Sequence, residues 1–258
     1  MADNKPSGYI IKSVVRAFEV LEFLSQEDYI GATELAERFD ISKTTAFNIL
    51  CTLEKIDYIK QSPRDGKYYL SAKILELSKD LEFKLREQAK PYLRELSRNS
   101  NETINLVIRT GKKVLYIDKV ESSEPLQINT KVGKKEEIYC TAVGKVILAF
   151  TRKDERNIIL NKLEFKAHTK NTIMSLPELR KNLESIRKKG YAIDNEEFCK
   201  GVKCIAGPVF DHTGSIKAAV SITGPQERIN EKGEDEQIEM VKKTCKQISK
   251  ALGYRGEE

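Results

Sequence analysis

Residues 33–70 read TELAERFDISKTTAFNILCTLEKIDYIKQSPRDGKYYL and specify how the N-terminal part of the chain folds. We expect a short helix to begin at Thr33, whose hydroxyl can cap free backbone amides. After a turn at residues 40–41, Ser42 can cap a second helix over residues 43–55. Apolar residues in this second helix recur with the spacing of one buried stripe, at Ala46, Ile49, Leu50 and Leu53. The sequence therefore predicts two helices joined by a tight turn.

Segments on both sides of this pair predict a winged module. Upstream, helical spacing indicates a third helix that packs on the pair through Val14, Ala17, Phe18, Leu21 and Leu24. Downstream, residues 58–61 and 67–70 are typical of strands, and Pro63 and Gly66 supply the backbone angles of the turn between them.

This module is expected to bind double-stranded DNA. The start of a recognition helix usually meets base edges and phosphates, which predicts contacts from Ser42, Lys43, Thr44, Thr45 and Asn48. Asn48 can form two hydrogen bonds with adenine. The wing is expected to contact phosphates through Lys60, Arg64 and Lys67. The alternative for the second helix is an ordinary solvated face, and the flanking wing favours DNA.

Charge limits how this binding can work. Residues 1–75 hold ten Lys or Arg and eleven Asp or Glu, so the net charge of +6 comes from the remainder of the chain. We therefore expect binding to depend on locally placed cations and on two copies of the module in a dimer.

Length and composition fit a protein of two domains with a sizeable core. The 258 residues are 33% charged and 40% hydrophobic. We expect a cytoplasmic protein, because no apolar segment is long enough to span a bilayer and the first residues lack a signal-peptide core. The scattered cysteines favour reduced thiols, and no cofactor or structural zinc site is expected. A thiol redox switch at Cys51 or Cys204 stays open as an alternative.

The remainder of the chain predicts an α+β domain. Residues 72–99 have the pattern of a linker helix, or alternatively of a plain core helix, which Pro91 should kink or restart. Strands are expected over residues 104–108, 114–117, 126–131, 191–194, 204–210 and 216–223. Helices are expected over residues 142–150, 154–163, 176–189 and 231–252. We place one domain at residues 8–71 and the second, with the linker helix, at residues 72–255.

Residues 190–211, GYAIDNEEFCKGVKCIAGPVFD, resemble the signature of IclR-type transcriptional regulators. The likeness extends over nearly the whole chain, since the winged module, the linker helix, residues 141–145 (TAVGK) and residues 221–225 (SITGP) follow in the same order. The resemblance implies a winged helix-turn-helix domain followed by an effector-binding domain. It implies for that second domain a curved, mainly antiparallel sheet flanked by helices, as in GAF- and profilin-like folds. It also implies assembly as homodimers, or as tetramers made of two dimers.

A helix that begins near Ala142 would direct free N–H groups and the positive end of its dipole at whatever lies before it, and a carboxylate fits that position. The family resemblance implies that an effector pocket lies there. The alternative is that small residues there merely permit close packing. Carried over from the family, the pocket residues are Ala142, Val143, Asp194, Cys204, Ser221 and Thr223. Asp194 can instead cap a turn, Ser221 and Thr223 can face solvent, and Cys204 can lie in the core.

Two departures from the family bear on specificity. Asn48 stands where Arg is common, which shifts the expected base preference from guanine toward adenine. Ala142 stands where relatives often have Gly, which predicts a smaller or drier pocket.

We expect no enzymatic activity. The enzymatic alternative would need Cys199 or Cys204 as nucleophile with His212 as base.

Overall fold

The computed structural model describes residues 10–77 and 83–256. The chain divides after residue 81 into two compact units, an N-terminal and a C-terminal unit. Among the described residues, no helix is both long and apolar enough to cross a membrane.

The N-terminal unit is a three-helix module with a two-stranded wing. Its helices are α1 (Lys12–Leu24), α2 (Ala32–Arg38) and α3 (Lys43–Lys55). The four apolar residues predicted for the α3 stripe are all buried in one core with α1 and α2. The wing strands β1 (Ile59–Gln61) and β2 (Tyr68–Leu70) pair antiparallel, with Ile59 opposite Leu70. Gly66 has a φ of 71° in the turn between them, as this turn requires.

One expectation for this unit was wrong and one was confirmed only in part. Helix α2 begins after Gly31 without a side-chain cap, so Thr33 lies inside its first turn and cannot cap it. In α1, the expected Leu24 is buried and Ala17 and Leu21 pack against the same core, whereas Val14 and Phe18 are 49% and 63% exposed. Val20, which was not expected, is buried, because helical spacing alone does not decide which edge of an apolar face meets the core.

The expected linker helix corresponds to two helices, α4 (Lys73–Leu77) and α5 (Phe83–Ser100), and residues 78–82 lie outside the described part of the chain. Helix α5 continues through Pro91, so the expected restart there does not occur. Pro91 is exposed, while Leu85, Leu93 and Leu96 are buried in the core. Burial of that face holds the helix together across the missing hydrogen bond.

The C-terminal unit contains a six-stranded antiparallel sheet in the order β5-β4-β3-β8-β7-β6. Its strands are β3 (Thr103–Thr110), β4 (Lys113–Val120), β5 (Lys135–Glu137), β6 (Ala192–Asn195), β7 (Val202–Phe210) and β8 (Ile216–Pro225). The prediction of a strand at residues 126–131 was wrong. That segment is a loop, held by side-chain contacts such as Lys119 Nζ to Thr130 O at 2.7 Å, and strand β5 follows it instead.

Helices cover both faces of this sheet. They are α6 (Ala142–Phe150), α7 (Lys153–Leu160), α8 (Leu176–Lys189), α9 (Gln226–Glu231) and α10 (Glu234–Ala251). Helices α6 and α8 belong to the core on one face, and α5 and α10 to the core on the other. The expected closing helix begins three residues late, because Gly233, with a φ of 87°, separates it from the unpredicted α9. The predicted α+β class and antiparallel sheet are confirmed.

Candidate ligand cavity and nucleic-acid interface

Helix α3 presents a polar face to solvent. The exposed residues on this face include Lys43, Thr44, Phe47 and Asn48. Ser42 and Thr45 are exposed but already bonded to each other, since Ser42 Oγ accepts from Thr45 N at 3.1 Å and lies 2.8 Å from Thr45 Oγ1. Ser42 therefore caps α3 as its sequence position predicts, and Lys43, Thr44 and Asn48 are exposed beside it.

The wing is tied to α3, because Gln61 N donates to Glu54 Oε1 at 3.3 Å. Lys60 and Arg64 are exposed on the wing. Lys67 differs from them, since its ammonium lies 3.4 Å from Glu34 Oε2 and forms an exposed ion pair within the unit. Such a pair is weak, so a phosphate can replace the carboxylate at little cost.

The C-terminal unit holds a cavity of about 210 Å³ between the start of α6, strands β4, β7 and β8, the β6–β7 connection and the loop at residues 128–134. All six residues expected in the pocket line it: Ala142, Val143, Asp194, Cys204, Ser221 and Thr223. They come from four separate elements, α6, β6, β7 and β8. We refer to this space as the effector cavity, after the role that the family resemblance implies for it.

Helix α6 points its N-terminus at the effector cavity. Thr141 caps it, with Oγ1 accepting from Gly144 N at 3.3 Å and donating to Glu137 O at 3.0 Å. The amides of Ala142 and Val143 lie in the same first turn, where no carbonyl of the helix can accept from them. They lie at the positive end of the helix dipole, which favours an anion in the cavity.

A buried polar network forms one wall. Asn105 Nδ2 donates to Ser221 Oγ at 3.3 Å and to Thr223 Oγ1 at 3.1 Å, while Thr130 Oγ1 donates to Asn105 Oδ1 at 2.6 Å. Asn105 is fully buried and is bonded to both of these hydroxyl groups, which line the cavity. Sequence reasoning missed this role; the available signal was a lone amide within the apolar strand residues 104–108.

Asp194 combines two of the roles weighed from the sequence. Its Oδ1 accepts from Glu197 N at 2.7 Å and from Phe198 N at 3.3 Å, so it holds the turn after β6 while also lining the cavity. The side chain is only 2% exposed, and burial raises its pKa to about 7, against the opposing effect of Lys145. Asp194 is therefore a mixture of acid and carboxylate near neutral pH and can donate to or accept from a ligand.

A buried ion pair supports this corner of the unit. Lys145 is fully buried, and its Nζ donates to Ile193 O at 2.7 Å and to Glu197 Oε1. Burial raises the pKa of Glu197, and the Lys145 ammonium opposes that shift. Both residues lie in the stretches that carry the family resemblance, but the sequence did not reveal that they pair.

The cysteines do not form a catalytic pair with His212. Burial raises the pKa of Cys204, which lines the effector cavity, so its thiol is protonated at neutral pH and is a poor nucleophile. Cys204 lies near the start of β7 and His212 beyond its end, eight residues on, which is about 26 Å of extended strand. Cys199 precedes β7 and lies still further along the chain from His212. Nucleophile and base therefore cannot meet.

Models of known protein families match both units of the chain. The IclR helix-turn-helix domain matches residues 13–63, and the bacterial transcriptional regulator IclR C-terminal domain matches residues 81–250. The chain is 37% identical over 254 residues to the HTH-type transcriptional regulator KdgR of Escherichia coli, covering 98% of this chain and 96% of that one.

Solved structures agree with this match. The Thermotoga maritima IclR structure has a TM-score of 0.78 at 34% identity, covering 94% of this chain and 99% of that one. An IclR homolog from Microbacterium hydrocarbonoxydans, solved in complex with 4-hydroxybenzoate, shares the fold with a TM-score of 0.82 at 20% identity, covering 93% and 97%. The matches cover both the winged helix-turn-helix and the unit with the effector cavity, and the chain belongs to the IclR family of transcriptional regulators.

Proposed function

We propose that this protein is a sequence-specific DNA-binding regulator whose affinity for its operator is changed by a small carboxylate bound in the effector cavity. Residues 8–71 would bind DNA, and residues 72–255 would bind the effector. One observation carries the proposal: residues from four elements converge on a single cavity at the N-terminus of α6.

The chemistry of the effector cavity favours a carboxylate. The α6 amides and the hydroxyls of Ser221 and Thr223 can donate to it. Lys131, an exposed lining residue, adds a positive charge, whereas the lining residues Lys134 and Glu136 pair with each other. Asp194 can bind a hydroxyl elsewhere on the ligand. About 210 Å³ is below the roughly 300–1,000 Å³ typical of drug-sized ligands, which favours a small acid. The 4-hydroxybenzoate of the Microbacterium homolog is a ligand of this chemical type.

Effector binding has a physical route to helix α5. The loop over the cavity is held at Leu126 O by Arg228 Nη2 at 3.0 Å, and Arg228 forms a double ion pair with the buried Glu102 at 2.6 Å. The Glu102 carbonyl in turn accepts from Ser97 of α5 at 3.2 Å. An effector that prefers one arrangement of this loop would shift the position of α5 through its difference in affinity for the two states.

Operator binding would need two copies of the chain. Because residues 1–75 are slightly acidic, one module would bind DNA weakly. A homodimer, or a tetramer of two dimers, would address two half-sites about one helical turn, ~34 Å, apart. A change in the position of α5 would alter that spacing.

We expect Asn48→Ala and Lys60→Ala to affect DNA binding in different ways. Loss of the Asn48 amide should relax base preference at one position by about 1–3 kcal/mol, since it removes a base-edge contact. Loss of Lys60 should weaken binding to all sequences and reduce the salt dependence by about one ion. Fluorescence anisotropy with operator and random duplexes at several salt concentrations measures both effects.

A matched control is Lys112→Ala, which removes one positive charge from an exposed turn of the C-terminal unit. Its salt dependence should equal that of the wild type. Equal losses on operator and random DNA for both Asn48→Ala and Lys60→Ala would contradict the division between base-reading helix and phosphate-binding wing.

Ligand binding itself is tested by thermal unfolding in the presence of small carboxylic acids. An acid that binds only the folded protein should stabilise it by about 2.7 kcal/mol at a concentration 100 times its Kd. The uncharged amide of the same acid should have no such effect, because it lacks the charge that the α6 N-terminus recognises. Stabilisation by the amide equal to that by the acid would overturn the carboxylate assignment.

A further inference from the structure

A second concave site lies at the opposite end of helix α6 from the effector cavity. This basic cleft, about 750 Å³ in volume, is formed by the C-terminus of α6, the start of α7, one residue of α8, the end of β3 and the β7–β8 turn with the start of β8. The nine residues of α6 separate the two sites by about 13 Å. The lining residues of the effector cavity and of the basic cleft are entirely different.

The walls of the basic cleft carry a strong excess of positive charge. Six cationic and two acidic residues line it, a net charge of +4. The cationic residues are Arg109, Arg152, Lys153, Arg156, Arg187 and Lys217. One of the two acids, Glu155, is already paired with Arg109, which leaves Asp154 as the remaining lining carboxylate.

Two of these arginines are held close together in the wall. Arg156 Nη1 donates to Ala149 O at 3.0 Å, and Arg187 Nη1 donates to the same oxygen at 3.2 Å. Burial lowers the pKa of Arg156, the neighbouring Arg187 and Arg180 lower it further, and the Glu184 carboxylate opposes these effects. The fold therefore gathers guanidinium groups that repel one another, and a bound anion would relieve that repulsion.

The floor of the basic cleft is apolar. Ile147 is buried, and Ile108, Phe150 and Ile216 are half-buried. Cationic walls above an apolar floor suit an organic molecule with an apolar body and several negative charges. Guanidinium groups bind phosphate in a two-point geometry that ammonium groups lack, and three of the wall cations near the start of α7 and on α8 are arginines: Arg152, Arg156 and Arg187.

We propose that the basic cleft is a second ligand site, which binds a small organic phosphate carrying two or more negative charges. Its volume of about 750 Å³ lies in the range of small-molecule sites, roughly 300–1,000 Å³. An acidic protein partner would instead need a contact area of about 800 Å² on each side, and such an area extends well beyond a concave site of this size. Because α6 begins at the effector cavity and ends at the basic cleft, a phosphate that draws Arg156 and Arg187 away from Ala149 O alters the helix that both sites share. The site is additional to the carboxylate cavity and stands independently of it.

The test uses pyrophosphate as the probe, in isothermal titration calorimetry with the whole protein at about 0.1 M NaCl, where exposed charges beyond ~10 Å are screened. We expect one saturable site per chain. The variant Arg152→Gln/Lys153→Gln removes two exposed cations of the basic cleft and should raise the Kd at least about tenfold. Arg156→Gln/Arg187→Gln should weaken binding more, provided that circular dichroism shows a folded protein.

The matched control is Lys181→Gln/Lys188→Gln, which removes two exposed cations from α8 outside the basic cleft. It should bind pyrophosphate like the wild type. If this control weakened pyrophosphate binding as much as Arg152→Gln/Lys153→Gln, net charge alone would explain the binding, and the proposed site would be contradicted. No pyrophosphate binding, or binding of a ten-residue glutamate peptide in its place, would also overturn it. Carboxylate stabilisation should survive in Arg152→Gln/Lys153→Gln, which separates this test from that of the effector cavity.

Discussion

Replacement of Lys145 by methionine is expected to lower the free energy of unfolding by about 3–5 kcal/mol, because it leaves the Glu197 carboxylate buried without its charge partner. The remaining oxygen, Glu197 Oε2, has no hydrogen-bond partner among the described residues, so little else can compensate. Urea unfolding followed by circular dichroism measures the loss.

The effect should depend on pH in a defined direction. Burial raises the pKa of Glu197 and Lys145 opposes that rise, so the pKa in Lys145→Met should lie well above that of the unfolded chain. A carboxyl group with a raised folded pKa favours the folded state at low pH. The loss of stability in Lys145→Met relative to the wild type should therefore be smallest below the pKa of an unfolded glutamate and grow as the pH rises through the folded pKa of Glu197.

The control is Lys145→Met/Glu197→Leu, which removes both charges of the pair; Asp194, whose pKa burial already raises to about 7, is expected to take up a proton once Lys145 is gone. Replacement of a buried pair by apolar residues is often neutral or stabilising, so this variant should recover most of the lost stability. A loss below about 1 kcal/mol in the single variant, or a double variant as unstable as the single one, would show that the pair does not hold this corner of the unit.

Ser221→Ala combined with Asp194→Ala is expected to abolish stabilisation by a carboxylate ligand while operator binding is retained. Ser221 offers a donor on β8, and Asp194 contributes the acid-base group on β6, so the double variant loses polar contacts on two walls of the effector cavity. The N-terminal unit, with the recognition helix and wing, is unchanged. Thermal unfolding with and without the acid measures the first effect, and anisotropy with operator DNA measures the second.

Ser221→Ala alone should give a partial loss, since Thr223 still offers a hydroxyl 3.3 Å from the position of the removed one. This milder variant also leaves Asp194 in place to hold the Glu197 and Phe198 amides. Full stabilisation of both variants by the acid would show that the ligand binds outside the effector cavity.

Local patterns predicted the N-terminal unit well. The apolar spacing of α3, the Ser42 cap and the turn of the wing depend on residues within about one helical turn or one hairpin, and all three are present. The face of α1 was predicted only in part, since Leu24 is buried as expected but Val14 and Phe18 are exposed. Which edge of the apolar face is buried depends on α2 and α3, and periodicity within α1 carries no information about those helices.

The residues that line the effector cavity were predicted from the family resemblance. The spacing of these residues along the chain did not by itself indicate that they lie together. What the sequence did not show are pairings between distant positions. Lys145 and Glu197 are 52 residues apart, and Asn105 and Ser221 are 116 apart. The loop at residues 126–131 has the composition of a strand, but it bonds to side chains on other elements, such as Arg228 and Asn105, and its backbone also forms local turns.

The affinity for operator DNA, measured by fluorescence anisotropy with and without a stabilising carboxylic acid, tests the central claim most directly. The proposed function predicts a change of at least about fivefold, the lower end of typical coupling between two sites. It predicts no change in Ser221→Ala/Asp194→Ala. The same operator affinity of the wild type with and without an acid that demonstrably binds would contradict the claim that the effector cavity controls DNA binding.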